Sequence, residues 1–176
     1  FDFGFDTRFG DANNDGILDL FTINNSSDFE IRYGNGEGGF SAPSTFAGET
    51  INAGNSVQRS LDVADLTGDG IDDIIIGAPY AEPDSTSLAG ESYVVFGSAT
   101  RSTAEVDLSS LDGTNGFQIN GIYEWQWTGL SVSSAGDVNG DGIDDIIIGS
   151  QSAERPNGER VSESYVIFGS NTRSPA

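Results

Sequence analysis

Three short segments of the chain repeat one pattern of oxygen-bearing side chains. They read DANNDGILD at 11–19, DLTGDGIDD at 65–73 and DVNGDGIDD at 137–145, with oxygen-bearing side chains at the first, third, fifth and ninth positions and glycine at the sixth. A hard divalent cation such as Ca²⁺ takes six to eight oxygen ligands at about 2.3–2.6 Å, and a glycine lets so short a loop reverse sharply. The pattern therefore predicts three cation-binding loops.

Each loop would supply five ligands. Four are side-chain oxygens, and the fifth is the backbone carbonyl of the seventh residue. The predicted ligands are Asp11, Asn13, Asp15, Ile17, Asp19, Asp65, Thr67, Asp69, Ile71, Asp73, Asp137, Asn139, Asp141, Ile143 and Asp145. Because the Thr67 hydroxyl has a shorter reach than the asparagines at its position, we expect the second loop to bind most weakly. The eighth-position Asp72 and Asp144 are expected to hydrogen-bond outside the ligand shell.

Other metals and other loop types fit the pattern less well. An EF-hand loop needs glutamate at its twelfth position and flanking helices, whereas Thr22, Ile76 and Ile148 stand there, inside β-rich runs. Zinc prefers nitrogen and sulfur ligands, and the chain has no His and no Cys. One such loop alone could equally be an ordinary Asp/Gly turn, but three at equivalent places favour metal binding. We expect up to three Ca²⁺ ions in a structural role.

The composition agrees with a cationic partner. Seven Arg, no Lys and 28 Asp plus Glu give the 176-residue chain a net charge of −21, which argues against nucleic acid as a partner. Apolar runs stay far below the roughly 18 residues that span a bilayer, so we expect no membrane insertion. Without His, Cys or a serine in a nucleophile-elbow motif, the chain is predicted not to be an enzyme.

The loops belong to a longer internal repeat. The decapeptide GDGIDDIIIG occurs at 68–77 and at 140–149, and 22 of 35 positions are identical between 68–102 and 140–174. A diverged copy lies upstream, around the first loop. Small residues precede the loops in RSLDVA (59–64) and SVSSAG (131–136), an apolar run follows, and YVVFG-type and GFQING segments complete four strands.

The continuous IIIG runs indicate strands that are covered on both faces. Four-stranded units of this length are typical of β-propeller blades, whereas the coils of the alternative, a β-solenoid, are usually shorter. We therefore predict an all-β fold of four-stranded antiparallel blades, forming an incomplete propeller of about three blades. Blade one spans 1–52, blade two spans 53–124, and blade three spans 125–176 and lacks its outer strand.

The repeat resembles the FG-GAP family of integrin α-subunits and many bacterial surface proteins, and its first copy is nearer to the related VCBS type. Gly77-Ala78-Pro79 supplies the GAP element, whereas the third copy has Gly149-Ser150-Gln151 there. Thr128-Gly129 stands where the family has Phe-Gly. The resemblance implies a seven-bladed propeller with structural Ca²⁺ in its loops, in extracellular or cell-surface proteins that serve adhesion or ligand binding.

We accordingly expect a calcium-binding segment of a secreted or cell-surface protein, with an unidentified protein or glycan as its ligand. A carbohydrate-binding module stays open as an alternative, because the alternate residues Trp125 and Trp127 in YEWQW would lie on the same side of a strand or loop and could stack on a sugar. Packing between blades is the commoner use of such residues. A non-catalytic scaffold of a calcium-dependent polysaccharide lyase is the other alternative. Three blades are too few to close a ring, so we expect a piece of a longer protein, or self-association through exposed inter-blade faces.

Overall fold

The computed structural model describes residues 6–23, 29–42, 44–45, 60–99, 108–155 and 157–172. These residues form eleven strands and two 3₁₀ turns, and the described part contains no helix with the length and apolar character to cross a membrane. The strands are β1 (Thr7–Gly10), β2 (Asp19–Ile23), β3 (Phe29–Arg32), β4 (Ser44–Thr45), β5 (Ser60–Ala64), β6 (Asp73–Ala78), β7 (Glu91–Val95), β8 (Gly116–Asn120), β9 (Ser131–Gly136), β10 (Asp145–Glu154) and β11 (Arg160–Ile167).

The strands form three antiparallel sheets, which we call blades one, two and three. Their strand orders are β1-β2-β3-β4, β5-β6-β7-β8 and β9-β10-β11. The all-β fold of antiparallel blades is therefore confirmed. Each blade contains the short strand before its loop, the apolar strand after it and the YVVFG-type strand. The described part of blade three has three strands.

The second strand of blade two is buried on both faces. Every residue of β6 is buried, because its two rows of side chains enter two different cores. Ile74 and Ile76 join blade one's Phe21 in one core, while Ile75 joins blade three's Ile146 in the other. Stacking of the three sheets thus explains the continuous apolar run, which one buried face alone would not require.

Hydrogen bonds join the first strands of the three blades. Arg8, Asp62 and Ser133 occupy the same position, since each pairs with the third residue of its neighbouring strand, Phe21, Ile75 and Ile147. One Asp62 carboxylate oxygen accepts from Arg8 Nε at 3.2 Å. The other accepts from Ser133 Oγ at 2.7 Å and from the Ser134 N–H at 2.9 Å. A single partly buried carboxylate therefore links all three blades.

The surroundings of Asp62 favour its ionised form. Burial alone would raise its pKa, but the hydrogen bonds from Ser133, Ser134 and the Val63 backbone, together with the Arg8 charge, outweigh burial and lower the pKa below its ordinary value. Because the pKa is lower in the folded than in the unfolded chain, ionised Asp62 stabilises the fold above the ordinary carboxyl pKa. That contribution is lost as the pH falls through the lower, folded value.

The two end faces of the stack differ in polarity. Blade three exposes four apolar side chains by 39% to 60%, which together we call the blade-three face: Val138, Ile147, Val166 and Phe168. At three of the four equivalent blade-two positions, Leu66, Ile75 and Val94 are at most 4% exposed, because blade three covers them. The row of blade one that points away from blade two is more polar, and comprises Thr7, Phe9, Leu20, Thr22, Glu30 and Arg32.

Replacing Asp62 by Asn should lower the free energy of unfolding by about 1–3 kcal/mol near neutral pH, because an amide NH₂ cannot accept the hydrogen bonds that the carboxylate accepts. The difference between the two proteins should shrink in acid, where the wild-type carboxylate is protonated in both states. Urea denaturation across the acidic range measures it, with Glu37→Gln in an exposed turn as the control. A difference that does not change with pH would contradict the assigned role.

Candidate functional site

The three Asp-rich segments are the loops that connect the first strand of each blade to the second. We call them loop one (11–19), loop two (65–73) and loop three (137–145). The Asp72 N–H donates to the Asp11 carbonyl at 3.1 Å, and the Asp144 N–H donates to the Asp65 carbonyl at 3.3 Å. Asp72 Oδ2 also accepts from the Asp11 N–H at 2.8 Å, which confirms a hydrogen-bonding role for this eighth-position residue. Loop one is therefore joined to loop two, and loop two to loop three.

The sixth-position glycines reverse the chain as the spacing predicts. Gly16, Gly70 and Gly142 have φ angles of 77°, 81° and 86°, a region that other residues adopt with strain. In each loop their N–H donates to an oxygen of the first-position Asp at 2.8 Å. The first carboxylate thus lies inside the turn in all three loops.

Side chains at the third and fifth positions also face the loop interior. Oδ1 of Asn13 and of Asn139 accepts the N–H of the fifth residue, at 3.0 Å and 2.9 Å. The fifth-position Asp in turn accepts the N–H of the seventh residue in every loop, at 2.9–3.0 Å. In loop two the third residue is Thr67, which is buried. The loops therefore share one backbone path and differ at this position.

The ninth-position Asp has a role that the spacing did not predict. Asp19, Asp73 and Asp145 are fully buried. One oxygen of each accepts the N–H of the second loop residue at 2.9–3.1 Å. The other oxygen accepts, at 2.8–2.9 Å, a glycine N–H beyond the third strand of the blade. These glycines are Gly34, Gly97 and Gly169. An aromatic residue followed by glycine comes directly after the third strand, as Phe-Gly-Ser in blades two and three and as Tyr-Gly-Asn in blade one, and was the available sequence signal.

Negative charge is concentrated inside the loops. Burial raises the pKa of Asp73 to about 7, and the carboxylates of Asp69 and Asp65 add to the rise, while hydrogen bonds from backbone N–H groups oppose it. Burial likewise raises the pKa of Asp19. The exposed Asp137 differs, since the Gly142 N–H is the main cause of its lowered pKa. Ionised carboxylates in these loops therefore repel one another.

The loops fit a hard cation in donor chemistry. Their inward side chains present oxygen, with neither imidazole nor thiolate among them. Within the described residues, however, no three acidic side chains converge into an arrangement that could hold a metal ion. The carboxylates are bonded to backbone N–H groups instead. All fifteen ligand assignments made from the sequence accordingly stay predictions.

The two tryptophans of 123–127 lie in different surroundings. Trp127 packs edge-on against Tyr80, with ring centroids 5.9 Å apart. Trp125 is 45% exposed. The segment forms a turn rather than a strand, so the alternation of the two residues does not place their rings together.

Replacing Asp145 by Asn should destabilise the chain by about 1–3 kcal/mol, because the amide can accept only one of the N–H groups of Val138 and Gly169 and leaves the other buried without an acceptor. Asp144→Asn is the matched control, since this partly exposed carboxylate faces those of Asp65 and Asp137. Its loss should be neutral or stabilising in metal-free buffer. If both variants change the free energy of unfolding equally in chemical denaturation, the buried hydrogen bonds of Asp145 do not stabilise the blade.

Two family models match the chain. The first, described as an FG-GAP-like repeat, matches residues 11–76 and so includes loops one and two. The second, described as an FG-GAP repeat, matches residues 128–162 and includes loop three. The matches therefore coincide with the repeats that the loops mark.

Integrin α chains are among the curated relatives. Integrin alpha-PS2 of Drosophila melanogaster is 33% identical over 115 residues, covering 63% of this chain and 8% of the relative. Integrin alpha-3 of Mus musculus is 31% identical over 90 residues, covering 51% and 8%. Integrin alpha pat-2 of Caenorhabditis elegans is 33% identical over 125 residues, covering 63% and 9%. The chain thus spans less than a tenth of the length of these relatives.

One solved structure overlaps most of the chain. It belongs to work on the specific recognition of non-reducing terminal N-acetylglucosamine by an Agrocybe aegerita lectin. The TM-score is 0.48 at 20% sequence identity, and the match covers 92% of this chain and 37% of that chain.

Proposed function

The chain belongs to the FG-GAP repeat family, and on that premise we propose that it is a calcium-binding propeller segment of an extracellular or cell-surface protein that acts in adhesion or ligand binding. The observation that carries the proposal is the recurrence of one loop, with one hydrogen-bonding pattern, at the same place in three stacked blades. The similarity to integrin α chains supports an adhesive setting. It also favours a binding role over a catalytic one.

We propose that each loop holds one Ca²⁺ through its first, third, fifth and ninth side chains and its seventh carbonyl. Eleven of the 28 acidic residues lie in the three loops. A bound cation would offset the repulsion among them. Because backbone hydrogen bonds join each loop to the next blade, fixing the loops would also fix the stacking of the blades. The ion would therefore be structural, and a ligand would bind elsewhere on the surface.

The unfolding free energy in Ca²⁺, in Mg²⁺ and in a chelator, at constant ionic strength, tests this proposal. Each occupied site should add about 2.7 kcal/mol when free Ca²⁺ is 100 times its Kd. Mg²⁺ should add less, because it demands a more regular octahedral shell. Equal stability in all three conditions, with the chain folded throughout, would reduce the loops to ordinary turns.

Variants identify the individual sites. Asp141→Asn keeps an oxygen for the Ile143 N–H but removes a charge, so calorimetric titration should lose one Ca²⁺ equivalent or show one much weaker site. Asp84→Asn, in an exposed turn remote from the loops, should leave the titration unchanged. Thr67→Asn should strengthen the weakest site, because it restores the longer side chain of the other loops. If Thr67→Asn has no effect, the predicted ranking of the sites is wrong.

We also propose that two copies of the isolated chain associate through the blade-three face. The equivalent blade-two surface is covered by a sheet, so a sheet is the kind of surface that fits. The outer row of blade one in a second copy suits it poorly, because Glu30 and Arg32, which pair at 3.1 Å, would be buried against apolar side chains. The same face of a second copy is apolar. The pairing would be symmetric and would stop at a dimer.

Val166→Asp should abolish this association, because it places a charge in the centre of the apolar contact. Sedimentation velocity over a range of protein concentrations measures it. Thr22→Asp, on the outer row of blade one, is the control and should leave the dimer intact. Disruption by Thr22→Asp, or a series of oligomers larger than the dimer, would indicate head-to-tail assembly instead.

A further inference from the structure

An open cleft of about 620 Å³ lies between blades two and three beside the ring of Trp125. The described residues that line it are Thr86, Ile122, Tyr123, Glu124, Trp125, Arg155 and Gly158. Residues 122–125 precede the start of β9, and Arg155 follows the end of β10, whereas loop three joins the opposite ends of these two antiparallel strands. The cleft therefore lies at the edge of the blades away from the Asp-rich loops.

Hydrogen bonds of the buried Gln126 side chain hold the turn that carries Trp125. Gln126 is 1% exposed, and its Oε1 accepts the N–H groups of Ile122 at 2.9 Å and Tyr123 at 3.1 Å. Its Nε2 donates to the Tyr165 hydroxyl of blade three at 2.8 Å. The Trp125 N–H donates to the Ser87 carbonyl at 2.9 Å. Both sides of the cleft are thus connected through one buried side chain.

Trp125 is held in a backbone conformation that rarely suits a large residue. Its φ is +61°, in the left-handed region, where glycine would be unstrained. Trp125 is 45% exposed, and the neighbouring Ile122 is 68% exposed. Core packing therefore does not account for this aromatic side chain. Strained residues at a surface cleft are typical of binding sites.

Arg155 brings a fixed cationic donor to the same cleft. It pairs with Glu163, which also accepts a hydrogen bond from Tyr165, so the guanidinium is tied to the buried Gln126 through two side chains. Blade two has the equivalent Glu91 and Tyr93 pair, buried in the core. Its chain carries no arginine between 60 and 99. The donor at this cleft is thus particular to blade three.

We propose that this cleft binds one unit of a neutral saccharide. A sugar ring offers an apolar face that stacks on an exposed indole and hydroxyl groups that pair with fixed donors and acceptors. Arg155 supplies donors, and the Glu124 carboxylate and Thr86 hydroxyl supply acceptors. A net charge of −21 disfavours an anionic ligand.

This site is independent of the proposed calcium sites, because it lies at the other edge of the blades and none of its lining residues is a predicted metal ligand. The test therefore uses the full chain twice, in Ca²⁺ and in chelator. If the chain binds no saccharide in either condition, the saccharide proposal is wrong, and the calcium proposal is unaffected.

The experiment follows the two indole N–H resonances by ¹H–¹⁵N NMR during titration with the methyl glycosides of glucose, galactose, mannose and xylose. At least one glycoside should shift the Trp125 resonance saturably, at concentrations up to about 10 mM, which detects a Kd of about 1 mM. The shift should not depend on salt. Tetramethylammonium and glucuronate serve as the cationic and anionic probes.

Trp125→Gly should weaken binding by about tenfold or more, because it removes the stacking surface. It should not unfold the chain, since glycine accepts the backbone conformation of this position without strain. Arg155→Gln should weaken binding while the Trp125 ring remains. The matched control is Phe40→Ala, which removes a ring that is 42% exposed on blade one, and it should bind as the wild type does.

Three results would overturn the proposal. The first is the absence of any shift at the Trp125 resonance with all four glycosides. The second is undiminished binding by a folded Trp125→Gly variant. The third is a salt-dependent shift with tetramethylammonium or glucuronate that exceeds every glycoside shift, which would assign the cleft to a charged ligand.

Discussion

Burial of one carboxylate in each blade is the interaction on which the rest of this structure depends. Asp19, Asp73 and Asp145 each accept two backbone N–H groups, one from the loop and one from beyond the third strand. An unpaired buried carboxylate is strongly unfavourable, so these pairings must form together with the core around them. They set the distance between loop and sheet, and the apolar strand that starts at this Asp then enters the space between blades.

The fold was predictable because two independent patterns agreed. The run after loops two and three is three consecutive isoleucines, and Ile74 and Ile75 enter different cores, as a strand covered on both faces requires. The internal repeat supplied the number of blades. Its glycines predicted the sharp turns, and Gly16, Gly70 and Gly142 all have the expected positive φ. The turn residues and the apolar runs therefore predicted the same fold of stacked antiparallel blades.

The site was less predictable, because spacing reports which side chains face inwards but not which partners they choose. The ninth-position Asp was assigned only as a ligand, whereas its nearest partners are backbone N–H groups from two separated segments. Likewise, YEWQW suggested paired rings from strand alternation, but Gln126 folds the segment into a turn that separates Trp125 from Trp127. Both features depend on contacts between residues far apart in the chain, or on a turn that residue type alone does not dictate.

The row formed by Arg8, Asp62 and Ser133 has a consequence for folding order. Blades two and three contain an identical decapeptide, so during folding either strand could dock in the place of the other, a known hazard of repeat proteins. The apolar residues of GDGIDDIIIG cannot distinguish the correct neighbour. A cation, an anion and a hydroxyl at one shared position can, because the Asp62 carboxylate has a donor on both sides only when it lies between the arginine and the serine. This row therefore distinguishes the nearly identical repeats and favours the native order of the blades.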